Sequence, residues 1–136
     1  MNSTRIGDIG VANVIARCMS KNIPVYVPFS DNEKADLIIL LNNVPKKIQV
    51  KTTLSDKNGV SVFHTSSCTS KIYNRKSVTH YYSNDEVDYY MLYNVNRDEV
   101  YLIPFNECKG GSVTLRHVPT KNNQQKGIKL STDYIF

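Results

Sequence analysis

Three side chains in the first half of the chain are of the types that handle a cation and an anion together: Asp36, Gln49 and Lys51. They sit in two short apolar runs of strand composition, Ala35-Asp36-Leu37-Ile38-Ile39-Leu40-Leu41 and Lys46-Lys47-Ile48-Gln49-Val50-Lys51-Thr52-Thr53, joined by the turn chemistry of Asn42-Asn43-Val44-Pro45. A two-residue turn at Asn42-Asn43 sets Leu41 opposite Val44 and Asp36 opposite Gln49, and a turn one residue later sets Asp36 opposite Lys51. The strand period of two gives one outcome in either register: the acid, the amide and the amine share a face. Leu37, Ile39, Leu41, Ile48 and Val50 take the other face as core. Ile38 and Leu40 are apolar as well, so the strands read as central and covered on both sides. Polar groups so placed must be satisfied by one another or by a ligand. A divalent metal with a phosphodiester fits the set, and a functionless buried Asp36–Lys51 pair is the plain competing reading.

The elements that must position this ribbon follow in order. Ile6 to about Lys21 reads as the one clear helix, capped by Ser3 or Thr4, with Asp8 in its first turn and Val11, Val14, Ile15 and Cys18 on its sheet-facing stripe. Gly7 and Gly10 cost such a helix about 1 kcal/mol each, and close approach of a strand or another backbone is the usual reason for them. Val25 to Phe29, held between Pro24 and Pro28, reads as a short or edge strand. Strands are expected at Val60–Thr65, Asp88–Val95 and Val100–Pro104. The segment 66–85 has no clear period and reads as a long loop, and Ser112–Val118 with Ile128–Ser131 reads as a second, polar hairpin.

The totals bound the class. A chain of 136 residues is one domain with a modest core, and 40% hydrophobic residues with nine Tyr and no Trp suit an α+β or mostly β protein. No apolar run approaches a membrane span and no leader-like apolar stretch opens the chain, so an intracellular, cytoplasmic protein without a membrane partner is expected. The three cysteines form no CxxC pair, and His64, His80 and His117 have no ligand spacing, which argues against a zinc site or disulfide framework. The histidines read as surface or partner-contacting residues.

A net charge of +5 points to an anionic partner, and its placement is more informative. In 66–85 the basic residues Lys71, Arg75 and Lys76 interleave with Tyr73, Tyr81 and Tyr82, a mixture that suits phosphate and sugar contacts. In 112–131, Arg116, Lys121, Asn122, Asn123, Gln124, Gln125, Lys126 and Lys129 are side chains able to read base edges from a major-groove ribbon.

A helix with paired glycines, a strand, an Asp-bearing strand and a Gln-x-Lys strand, in that order, resembles the PD-(D/E)XK nuclease superfamily. Asp36 matches its aspartate, Gln49 the position usually held by Asp or Glu, and Lys51 its lysine. The later run Val87-Asp88-Tyr89-Tyr90-Met91-Leu92-Tyr93, then Val100-Tyr101-Leu102-Ile103-Pro104, then the Lys-Asn-Asn-Gln segment, is similar to the group I intron-encoded branch of bacterial homing endonucleases. The resemblance covers nearly the whole chain. It implies an α+β, restriction-endonuclease-like core over 1–136, with an N-terminal helix on a mixed central sheet and a C-terminal hairpin extension. It also implies Mg²⁺ on Asp36 and Gln49, and site-specific cleavage of double-stranded DNA at a near-palindromic target. One site cuts one strand, so a homo-oligomer of at least two copies is expected, and a tetramer is plausible.

One departure matters. That branch reads Gly-x-x-Gly-Glu at the helix start, and this chain reads Gly7-Asp8-Ile9-Gly10-Val11. Val11 stands where the family has its metal-binding Glu, so the resemblance implies a catalytically impaired form. Asp8, one turn earlier, is an outside candidate to replace it. The rival readings are a Holliday-junction resolvase or repair nuclease of the same fold, and a sequence-specific DNA-binding module without catalysis.

Overall fold

The computed structural model describes residues 1–71, 76–120, 122 and 126–136, with only the backbone described at 67–71 and 76–78. The first element is helix α1, Ser3–Ser20, which starts three residues earlier than its apolar stripe suggests. Its cap is Asn2 rather than Ser3 or Thr4: the Asn2 side chain accepts the Arg5 amide at 2.9 Å. The helix stops where Asn22 turns left-handed, at φ 57°, and the Ile23 amide returns to the Cys18 carbonyl at 2.9 Å. The early start leaves no acid in the first turn, so Asp8 lies further along and is exposed.

Strand β1 is only Val25–Tyr26, because the prolines on either side remove ladder donors. Strands β2 (Leu37–Leu41) and β3 (Val44–Thr53) form the organising hairpin. Leu41 faces Val44 and Leu37 faces Ile48, and both turn residues have positive φ, Asn42 at 51° and Asn43 at 64°. That is the primed two-residue turn whose twist matches the strands. Asp36 lies just before β2, and its amide donates to the Ile48 carbonyl at 2.8 Å.

Strands β4 (Val60–His64), β5 (Ser67–Lys71) and β6 (Lys76–His80) follow, then β7 (Tyr89–Asn94), β8 (Glu99–Pro104) and β9 (Ser112–Arg116). The central sheet runs β1-β2-β3-β7-β8. It is antiparallel except at β3–β7, where the strands run parallel with Gln49 beside Tyr90 and Lys51 beside Leu92. Residues 54–88 make the crossover between those two strands. Two differences from the sequence expectation lie here. Segment 66–85 is a strand pair rather than a loop, β5 against β6; its Ser/Thr-rich strands carry too few apolar residues to show a period. Strand β9 takes β4 as its antiparallel partner, and the return segment meets it at a single parallel bridge, Arg116 with Leu130, rather than as an antiparallel hairpin.

One core lies on each face of the sheet. Val14 and Cys18 of α1 meet Leu37, Ile39, Ile48, Val50, Met91 and Tyr93 on one side. Phe63, Val113 and Leu115 of the β4–β9 pair meet Tyr90, Leu92, Tyr101 and Ile103 on the other. Ile38 and Leu40, expected to be covered, are only half-buried, because β4–β9 sits over β7 and β8. A polar joint fixes the β4–β9 layer. Asn94 donates to the Ser61 hydroxyl at 2.6 Å and the Ser55 carbonyl at 2.8 Å, and Ser61 is 2.6 Å from His117 Nε2. His117 is therefore tied into the fold, with its pKa held down chiefly by burial. His80 pairs with Glu86 at 3.2 Å.

The helix seats closely on the site strand at one point. A methyl group at Gly10 would come within 1.7 Å of the Thr52 hydroxyl and 3.0 Å of its Cβ, whereas Gly7 faces open space. Thr52 is β-branched and cannot swing clear. Gly10→Ala is accordingly expected to lower stability by about 1–3 kcal/mol, while Gly7→Ala should gain up to about 1 kcal/mol from helix propensity. Chemical denaturation of both variants checks the pair.

Candidate active site

Period-two alternation along β3 sends Ile48 and Val50 to the helix-side core and Gln49 and Lys51 to the opposite face. Asp36, opposite Gln49 in the extended β2–β3 register, joins them there. Its Oδ2 accepts the Val50 amide at 2.9 Å, which fixes the carboxylate against the strand. Among the described residues its other oxygen accepts no hydrogen bond.

These groups do not satisfy one another. The salt bridges among the described residues are Arg17–Asp98, His80–Glu86 and Arg97–Asp56, without an Asp36–Lys51 pair. The Lys51 ammonium instead lies 3.5 Å from the Ser66 carbonyl and 3.5 Å from the Tyr82 hydroxyl, long contacts for hydrogen bonds. It also sits 5.0 Å from the centre of the Tyr82 ring. Gln49 is 8% exposed, and its Oε1 is buried without a partner; the Thr52 hydroxyl, on the helix face, is the other such atom among the described residues. Burial raises the Asp36 pKa above the ordinary aspartate value, opposed by the Val50 amide and by Lys51. Burial likewise lowers that of Lys51, opposed by Asp36. Each group is partly stripped of water and only partly compensated.

A hard divalent cation binds through oxygen. The open Asp36 oxygen and the orphaned Gln49 Oε1 fit such an ion, two donors from one ribbon. A further acid is missing: no group of three or more His, Cys, Asp or Glu side chains able to hold a metal occurs among the described residues. Val11 is half-buried and packs against the helix-side core, as a valine there should. Asp8, exposed, takes no place in the site.

The expected nucleic-acid residues are placed unevenly. Lys71 and Lys76 are backbone partners in register at the far end of β5–β6; Tyr73 and Arg75, between them, lie outside the described residues, as do Lys121, Asn123, Gln124 and Gln125. Arg116 is half-buried, with Nε 3.4 Å from the Val118 carbonyl. Lys126 and Asn122 are exposed, and Lys129 lines a cleft with Glu107, Cys108 and Thr114. Sequence reasoning missed two features of the site. The Ser66 contact is a backbone carbonyl and leaves no trace in residue types. Tyr82 stands in the basic segment, and nothing local ties it to Lys51, 31 positions away.

A mixed sheet with one helix on its face, bringing an aspartate and a Gln-x-Lys pair to one side of a hairpin, is a restriction-endonuclease-like nuclease core. The family model of the PD-(D/E)XK endonucleases matches residues 1–136, and the chain belongs to that family. Among solved structures it is similar to that of a bacterial homing endonuclease, I-Ssp6803I. The TM-score is 0.78, with 23% identity over 99% of this chain and 89% of that one. At that identity the likeness is one of fold. No curated protein matches the chain significantly. No helix among the described residues is long and apolar enough to cross a membrane.

The desolvated pair makes a stability prediction. Asp36, with its pKa raised by folding, favours the folded state most below about pH 3.9, and this is lost as pH rises through its folded pKa. Lys51, with its pKa lowered, disfavours the folded state until pH climbs through its own folded value. At neutral pH both charges are unfavourable to folding. The double variant Asp36→Asn/Lys51→Met should therefore be more stable than the parent at pH 7, by about 1 kcal/mol or more. It should also lack the parent's loss of stability between acid and neutral pH. Thermal unfolding over a pH series measures both effects.

Proposed function

We propose that this chain is a site-specific endonuclease for double-stranded DNA, of the intron-homing kind, in a catalytically impaired form. The observation that carries the reading is the buried, unpartnered Gln49 Oε1 on the same face as Asp36 and Lys51. An orphaned acceptor costs about 1–3 kcal/mol unless something completes it, and a cation held jointly with Asp36 does so. Family membership supplies the reaction class, phosphodiester hydrolysis, and the basic segments supply an anionic partner.

Asp36 and Gln49 would hold Mg²⁺, which when bound acidifies water and offsets charge on the phosphoryl oxygens. Asp36 is aimed by the Val50 amide, so its free oxygen is presented in one direction. Lys51 offers a positive amine to the negative charge that builds on the phosphate, in surroundings that screen it less than water does. Its lowered pKa also lets it release a proton more readily than an exposed lysine. With Val11 in place of Glu, one carboxylate is left for the cation, and affinity for Mg²⁺ falls. DNA affinity rests on the β5–β6 ribbon, on Arg116 at the end of β9 and on the segment after it, including Lys126 and Lys129, and is retained. Two copies or a higher even number bind a near-palindromic site in the bacterial cytoplasm, one cutting each strand.

The second reading, a DNA-binding module without catalysis, is favoured by Val11 itself. Both readings share DNA affinity whose logarithm falls linearly with the logarithm of salt concentration; titration with a duplex selected from random sequences measures that slope, and its absence removes both. The Val11→Glu form separates them. On that duplex it is expected to gain Mg²⁺-dependent cleavage of both strands that the parent lacks, as read on a denaturing gel. Binding without any gain of cleavage supports the module. Sedimentation of the bound complex should give an even number of protein copies, and a single copy contradicts the homing reading.

A further inference from the structure

The Lys51 ammonium rests against the base of one strand pair. Ser66, whose carbonyl lies 3.5 Å from it, immediately precedes β5. Tyr82, whose hydroxyl lies 3.5 Å from it and whose ring centre lies at 5.0 Å, follows β6 by two residues. A lysine stem is long and flexible, and its ammonium is a point charge without a preferred direction. Asp36 is beyond salt-bridge range, so these contacts are what fix the amine among the described residues.

Tyr82 is itself braced. Its ring meets Tyr90 edge-on at 6.3 Å and 79°, and His80 at 5.3 Å and 90°. Tyr90 is 3% exposed and pairs with Gln49 across the β3–β7 ladder. His80 is tied to Glu86 at 3.2 Å. The ring is therefore held from the sheet on one side and from the end of β6 on the other. An aromatic face within about 6 Å of a cation attracts it, more strongly where water is scarce.

We propose that Tyr82 is a positioning residue for Lys51: its ring and hydroxyl hold the ammonium at the base of the β5–β6 pair, on the face that Asp36 and Gln49 share. The consequence for catalysis rests on the nuclease reading, but the contact does not. Tyr82 never needs to touch the phosphate; it acts by denying the amine other positions. It also ties the lysine to the strand pair that carries Lys71 and Lys76 at its far end.

Side-chain NMR of the full chain tests this without any cleavage step, so its failure is distinct from failure of the nuclease reading. The Lys51 ε-CH₂ signal, assigned by its loss in Lys51→Met, is expected upfield of exposed lysines because of the Tyr82 ring. Tyr82→Leu should return it to the exposed-lysine position. Tyr82→Phe should keep the ring-current shift, because the ring stays. A signal that Tyr82→Leu leaves where it was overturns the proposal. Should Tyr82→Leu not fold, a Lys51 ε-CH₂ signal at the exposed-lysine position in the parent and in Tyr82→Phe overturns it.

Discussion

Strand β3 is asked to do two incompatible things, and the site is the result. Ile48 and Val50 must bury themselves against the helix, which commits the strand to the middle of the sheet. The same strand then carries Gln49 and Lys51 onto the other face, where they are partly stripped of water. A chain optimised for stability alone would put apolar residues there, since ion pairs in such places seldom gain more than their desolvation costs. Here the charges are not even paired directly. Asp36 spends one oxygen on a backbone amide, and Lys51 turns to a carbonyl and an aromatic ring.

The surrounding architecture keeps that strain in place. The left-handed asparagines at 42 and 43 lock the β2–β3 register, and the register alone puts Asp36 across from Gln49. A slip of one residue between the two strands would set Asp36 on the face away from Gln49 and Lys51. Gly10 lets the helix come close enough to Thr52 to hold β3 from behind. On the other face the Asn94–Ser61–His117 joint anchors the β4–β9 layer.

What could be read from the sequence follows the same physics. The hairpin, its turn and the shared face of Asp36, Gln49 and Lys51 were legible because a period of two and an Asn-Asn turn are local signals. The helix was legible as an element but not at its start, since Ser3–Arg5 lie before the first apolar contact. The β5–β6 pair was not legible: Ser67–Lys71 has neither alternation nor turn residues to announce a strand. The partner of β9 was not legible either, because β4 lies some fifty residues earlier and only packing selects it. Within the site, the amide and the charges could be read from residue types. The Ser66 carbonyl and the Tyr82 ring could not, because both reach Lys51 only through the fold.

On the proposed reading, charge balance describes how such a site would keep its substrate and lose its reaction. Asp36 and Lys51 together are neutral when both are ionised, and Gln49 adds no charge. A family member with Glu at the position of Val11 carries one more negative charge, which draws a cation and then relies on it to tolerate the phosphate. With valine that attraction would be gone, but so would a repulsion: a phosphodiester approaching Lys51 would meet one carboxylate instead of two. On that reading valine would act on the two ligands in opposite directions, weakening the hold on metal more than the hold on DNA. Half-buried and packed against the helix-side core, Val11 suits its place on the helix whatever the site beside it does.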